Sequence, residues 1–147
     1  MTPVANRSKA RGTRYESQVV RYVRLRLEDD RVERRALHGN RDMGDIFGLF
    51  VRGHEGIIEC KNHAKWGPTD LRKWEIQTDD EMFNANADFA VLVVNVPHAP
   101  VGRSLCFLTA ASYAKVSGFL THAEDTRAHD HWVCVTLDEL LDVMVGH

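Results

Sequence analysis

The chain has 147 residues, 44% of them hydrophobic and 27% charged, with a formal net charge of −2. That composition suits one ordinary globular domain with a real core. It excludes low-complexity and repeat architectures, and no apolar run approaches the ~20 residues of a membrane span.

The near-neutral total hides an asymmetry. Residues 1–35 carry ten Lys and Arg against five Asp and Glu, whereas residues 75–147 carry three against eleven. A nucleic-acid binder concentrates positive charge on one surface, and the first third of the chain can supply one. Cys60, Cys106 and Cys134 sit among apolar neighbours. They read as buried free thiols of a reducing compartment, not as a disulfide or zinc framework. No apolar segment follows the basic N-terminal residues, so no signal peptide is expected and the expected location is the cytoplasm.

Residues 1–12, with Arg7, Lys9 and Arg11, lack hydrophobic periodicity and are expected to form a flexible basic arm able to settle on phosphates. Residues 13–147 are expected to form a single domain. A helix is expected from about Thr13 to Asp29, opened by the capping box Thr13-Arg14-Tyr15-Glu16. Glu16, Val20, Val23 and Leu27 share one helical face, so Glu16 is either a cap residue or a group reaching the sheet edge. Arg14, Arg21 and Arg24 lie on another face, suited to a DNA backbone.

Residues 31–37 read as a strand bearing Arg34 and Arg35. A turn-rich loop with Asn40, Arg41 and Asp42 follows. Residues 44–61 then read as a β-hairpin, Gly44-Asp45-Ile46-Phe47-Gly48-Leu49-Phe50-Val51 and Ile57-Ile58-Glu59-Cys60-Lys61 around a turn near Gly53. Alternation puts Ile57, Glu59 and Lys61 on one face and Ile58 and Cys60 on the other. A turn centred near Gly53 sets Asp45 across from Lys61 and Phe47 across from Glu59.

A Glu-x-Lys on a strand is often only a solvated face. Here its apolar neighbours make the strand central, where charges need partners or a metal. Two carboxylates with open positions suit Mg²⁺, and a lysine beside them can position a water: a site for metal-assisted phosphodiester hydrolysis. Asp42 competes with Asp45 as ligand. Asp45 is preferred because it enters the strand directly.

The loop after Lys61 carries Lys65 and Trp66, which contact a nucleic acid or, for Trp66, cover the core. A helix from about Thr69 to Asn86 buries Leu71, Trp74, Thr78 and Met82, with Gln77 beside them. Phe89 to Val94 is an unbroken apolar run, expected at the centre of the sheet. A strand over Ser104–Leu108, a helix over Ala110–Val116 and a strand over Trp132–Val135 follow. His122, His129 and His131 have no third partner at convincing zinc spacing. A final helix opens on the capping box Thr136-Leu137-Asp138-Glu139, with Leu137, Leu140, Leu141 and Met144 on one face. The order α-β-β-β-α-β-β-α-β-α implies an α/β fold, a central mixed β-sheet flanked by helices.

The carboxylate and lysine pattern resembles the PD-(D/E)xK nuclease superfamily, over about Gly12 to Val96. Asp45 matches the motif aspartate and Glu59-Cys60-Lys61 the (D/E)-x-K, with Gly44 where the family has proline. The layout is most similar to Holliday-junction resolvases, including phage types, and to RecB-like nucleases: a helix glutamate (Glu16), an arginine-bearing strand (Arg34, Arg35), a glycine-led loop ending in Asp45-Ile46, then Glu59-x-Lys61. The resemblance implies a restriction-endonuclease-like core. It also implies a Mg²⁺ site, open to Mn²⁺, held by Asp45 and Glu59 with Glu16 and the carbonyl of Cys60. Lys61 would act on the attacking water, and Gln77 would support the site from its helix.

The expected activity is that of a metal-dependent, structure-selective endodeoxyribonuclease, a Holliday-junction resolvase on branched DNA. Arg7, Lys9, Arg11, Arg14, Arg34, Arg35, Arg41 and Lys65 would hold phosphates. Paired cuts require a homodimer, with the apolar stripe of the last helix or the helix bearing Trp74 and Phe83 as its contact. The alternatives are a RecB-like repair or restriction-type nuclease, and an inactive nucleic-acid-binding protein of the same fold.

Overall fold

The computed structural model describes residues 4–36, 42–119 and 130–146, with side chains from residue 7 onward in the first segment. Its elements are α1 (Val4–Leu27), β1 (Glu33–Arg34), β2 (Ile46–Val51), β3 (His54–Lys61), α2 (Pro68–Asn84), β4 (Phe89–Val94), β5 (Leu105–Thr109), α3 (Ala110–Ser117), β6 (Trp132–Thr136) and α4 (Leu137–Val145). The order is the one the sequence pattern implies. The six strands lie in one sheet in chain order. Only β3 and β4 are parallel, joined by the α2 crossover; every other neighbouring pair is antiparallel.

The apolar run of β4 is buried at all six residues, as a strand covered on both faces must be. Its alternate side chains feed two cores. Val91 and Val93 join Tyr15, Val19 and Val23 of α1 and Leu137, Leu140 and Leu141 of α4. Leu92 and Val94 join Phe107 on the opposite face, under Trp66, Leu71 and Trp74. So α1, α3 and α4 cover one face and α2 the other. Each fully buried leucine of α4 contributes roughly 1.5–3 kcal/mol of transfer free energy.

Several expectations fail. The first helix begins at Val4, so residues 4–12 are its first turns rather than a separate arm, and Thr13 and Glu16 are interior residues rather than a cap. Of the expected face, Val20 and Val23 join the core and Leu27 packs against it; Tyr15 and Val19 widen the stripe on one side, and Glu16 is left at its edge. The arginine-bearing strand is only two residues long. Arg41 and Asn40, and also His122 and His129, lie outside the described residues. Cys134 is exposed. The apolar stripe of α4 is consumed by the core, and Trp66 packs edge-on against Phe107 as core cover.

The hairpin register also differs. Its loop is the two residues Arg52 and Gly53, both at positive φ (51° and 82°), which matches the twist of the flanking strands. A register irregularity between Ile46 and Leu49 then shifts the pairing again, so Ile46 faces Ile58. Asp45 comes level with Glu59, not Lys61. The two carboxylates are therefore closer than alternation around Gly53 alone implies.

Candidate active site

Glu59 is the centre of the site. It lies on β3, next to β4 in mid-sheet, and is 3% exposed beneath α2. Burial pushes its carboxyl far above the usual carboxylate range, and the adjoining Asp45 and Glu81 carboxyls push the same way. The main chain brings Asp45 to it: the Asp45 amide donates to the Ile58 carbonyl (3.0 Å). Asp45 Oδ2 accepts from the Cys60 amide (2.8 Å).

Gly44 sets this approach. Its φ is +91°, and a Cβ there would lie 2.9 Å from Ile57 Cδ1. Proline fixes φ near −65° and cannot take this turn; glycine can. The Gly44 amide donates to Asp42 Oδ1 (3.2 Å), so the same turn folds Asp42 back toward the sheet.

Glu16 reaches Asp45 from α1 and meets Arg34 at 3.6 Å. Burial, with Asp45 adding, pushes Glu16 up to about 7, against the opposing pull of Arg34. On the far side, α2 contributes Gln77 and Glu81, one turn apart. The Gln77 amide donates to Glu59 Oε2 and to Asp42 Oδ2, each at 3.3 Å.

Glu81 is 1% exposed, and both of its carboxylate oxygens are buried without a hydrogen-bond donor. They abut Glu59 and Asp42, which are themselves acceptors, so these contacts bind only with a proton or a cation between them. Burial pushes Glu81 up to about 7, with Glu59 pulling back and Asp42 adding. Burial also works to raise Asp42. Its contact with Glu81, the Gly44 amide, Gln77 and nearby Lys61 outweigh that and hold it low.

The structure thus brings Glu16, Asp45, Glu59 and Gln77 together, with Lys61 two residues beyond Glu59 on the same face of β3. One carboxylate oxygen each from Asp42, Glu59 and Glu81 lie within 4.8 Å of one another. The expected trio Glu16, Asp45 and Glu59 forms no such three-way group among the described residues, although the Asp45 carboxyl adjoins both Glu16 and Glu59 while its Oδ2 accepts from the Cys60 amide. The Cys60 side chain packs against the opposite core, and burial drives its thiol up, well above the ordinary range.

The basic residues are spread more widely. Arg7, Lys9, Arg11 and Arg14 lie exposed along α1, and Lys65 is exposed in the loop after β3. Arg24 is occupied by the Val32 carbonyl (2.6 Å). Arg34 is paired with Glu16, and Arg35 stacks on Phe47 at 4.6 Å with its Nε buried and unbonded.

Glu81 is the residue that sequence reasoning missed. Trp74, Thr78 and Glu81 follow i, i+4, i+7 spacing on the face of α2 that packs on the sheet. An acid on a buried stripe, one turn after Gln77, was the available signal. No protein-family model, curated protein or solved structure matches this chain.

Proposed function

We propose that this chain is a Mg²⁺-dependent DNA endonuclease that hydrolyses phosphodiester bonds, selective for branched DNA in the manner of a Holliday-junction resolvase. What supports the reading most is one arrangement: Glu59 and Lys61 on the same face of a central strand, with Asp45 level with Glu59. The likeness of that arrangement to the PD-(D/E)xK pattern, with an α/β sheet of the kind that family uses, adds to it.

The donor set fits a hard divalent cation. Asp42, Asp45, Glu16, Glu59 and Glu81 offer only oxygen, and Glu81 is buried with no donor of its own. Glu59, with Asp45 or Asp42 beside it, would hold the ion, and Mn²⁺ meets the same preference. When bound, Mg²⁺ supplies Lewis acidity at the phosphodiester and charge compensation at the leaving 3′-oxygen.

The chain's own groups do the rest. Lys61, two residues beyond Glu59 on the same face of β3, would orient the attacking water and offset negative charge gathering on the phosphate oxygens. Gln77 fixes the rotamer of Glu59 through its Oε2. Arg34 balances Glu16 at the rim. The exposed arginines and Lys9 of α1 would hold DNA by its backbone, which positions a duplex without reading its sequence.

Paired cuts at a junction call for two copies of this single site, and a two-fold pair is the commonest arrangement. With the α4 stripe buried, the exposed apolar side chains Ile76 and Phe83 on α2 are the candidates for the contact.

The test is a matched panel of four-way junction, flap, nicked duplex, linear duplex and single strand, each with Mg²⁺ or with a chelator. Metal-dependent cutting that favours the junction is expected. Preference for flaps or ends would move the reading to a RecB-like repair nuclease. Absence of cutting on every substrate would leave the inactive binding protein.

A further inference from the structure

We infer that the divalent cation is seated between Asp42, Glu59 and Glu81, so that helix α2 supplies a metal ligand and Asp45 is a positioning residue beside the ion. Only the use made of the cation depends on the nuclease reading; its seat rests on geometry alone.

Glu81 occupies a position where the α2 stripe calls for an apolar side chain. It is 1% exposed, and neither of its oxygens receives a hydrogen bond. A buried carboxylate in that state is unfavourable unless something positive meets it. The charged groups that act on it are all carboxyls: Glu59 and Asp42 beside it, and Asp45 further off.

The three oxygens fit an ion. Opposed ligands stand ~4.2 Å apart around Mg²⁺ and ~4.6–5.2 Å apart around Ca²⁺, and the observed spread is at most 4.8 Å. An outer layer already orients the ligands. Gln77 donates to both Glu59 and Asp42. Gly44 holds the other Asp42 oxygen, and Asn84 Nδ2 holds the Asp42 carbonyl (2.9 Å). Such second-layer donors are what fix metal ligands in place. A cleft of about 460 Å³, lined by Asp42, Lys73, Ile76, Gln77, Asp80 and Glu81, lies against the outer side of the seat.

Asp45 differs in kind. Its Oδ2 is committed to the Cys60 amide, which ties the residue entering β2 to β3 and holds its carboxyl beside Glu59.

The experiment is calorimetric titration of Mn²⁺ into wild type, Glu81→Gln, Asp42→Asn and Asp45→Asn, with melting temperatures measured in chelator and in Mn²⁺. Glu81→Gln and Asp42→Asn are expected to weaken Mn²⁺ by at least the roughly 10–100-fold typical of losing an outer-layer partner. Asp45→Asn should stay within roughly threefold, the scale of a screened charge near the ion but not on it. Mn²⁺ should raise the melting temperature of wild type and Asp45→Asn, and leave that of Glu81→Gln unmoved. In chelator, Glu81→Gln should melt no lower than wild type, which separates lost binding from lost folding.

Unchanged Mn²⁺ affinity in folded Glu81→Gln, or loss confined to Asp45→Asn, would overturn the seat. Wild type that binds Mn²⁺ through Glu81 but cuts no DNA would sink the nuclease reading and leave the seat standing. DNA cutting with unaltered Mn²⁺ binding in Glu81→Gln would do the reverse.

Discussion

Glu59 on β3 and Glu81 on α2 bring two buried carboxyls together across the seam between sheet and helix, at 3% and 1% exposure. Gln77 is the polar neighbour that bridges Glu59 to Asp42. An ordinary core would fill this seam with apolar side chains. The acids make the metal-free protein electrostatically frustrated, and its stability should depend on pH accordingly.

In the unfolded chain, Glu16 and Glu81 ionise near the ordinary 4.5; in the folded chain they hold their protons up to about 7. Between those values the folded state binds more protons than the unfolded state, so stability falls as pH rises. Glu59, shifted further upward, extends the trend. In chelator the melting temperature is expected to be higher at pH 5 than at pH 8, with a smaller difference in Glu81→Gln. Mg²⁺ or Mn²⁺ added at pH 8 should restore the missing stability. A melting temperature that rises from pH 5 to pH 8 in chelator would contradict protonated Glu16 and Glu81 in the folded state.

Lys61→Ala is expected to cut the cleavage rate by at least ~10²-fold, the lower scale for a positioned acid–base group. Metal affinity should survive, since Lys61 is not a ligand. Single-turnover rates and Mn²⁺ titration on the same preparation check both parts. Collapse of metal binding in this variant would show that its role has been misplaced.

Gly44→Ala should destabilise the fold by roughly 1–2 kcal/mol from its left-handed backbone alone. The contact of a new Cβ with Ile57, at 2.9 Å, should add to that. Gly44→Pro should be worse, because proline cannot adopt φ of +91°. Denaturant titration measures both. A neutral Gly44→Pro would mean the Asp42–Asp45 turn can be built another way.

The α1 arginines can be tested without shortening the helix. Replacing Arg7, Lys9 and Arg11 together by glutamine should weaken duplex binding. Its log–log salt dependence should flatten by about 0.9 for each phosphate no longer neutralised. An unchanged slope would take this face of α1 out of the DNA interface.

Much of the fold was legible in the chain. The buried run at Phe89–Val94 and the capping box at Thr136–Glu139 each carry a local signal, and both appear where that signal puts them. The start of α1 was not legible, because Arg7 to Gly12 lack apolar periodicity while the helix continues through them as an exposed segment. The hairpin register was missed by two steps. A two-residue loop and an irregularity near Gly48 are tertiary matters that alternation alone does not encode. Hairpin spacing could bring Asp45 near Glu59, whereas Gln77 was joined to them only through the family resemblance. Glu81 could not, because reading the α2 stripe for hydrophobes passes over a buried acid.

The most direct measurement is cleavage of a four-way junction by wild type and Glu59→Gln, each in Mg²⁺ and in chelator, with DNA binding followed in parallel. Glu59 adjoins Asp45, Glu81 and Gln77, whereas DNA would be held by the basic residues elsewhere. Expected are paired cuts by wild type in Mg²⁺ only, and none by Glu59→Gln, which still binds the junction. Cutting by wild type in chelator, or by Glu59→Gln at the wild-type rate, would contradict a metal-dependent nuclease centred on Glu59.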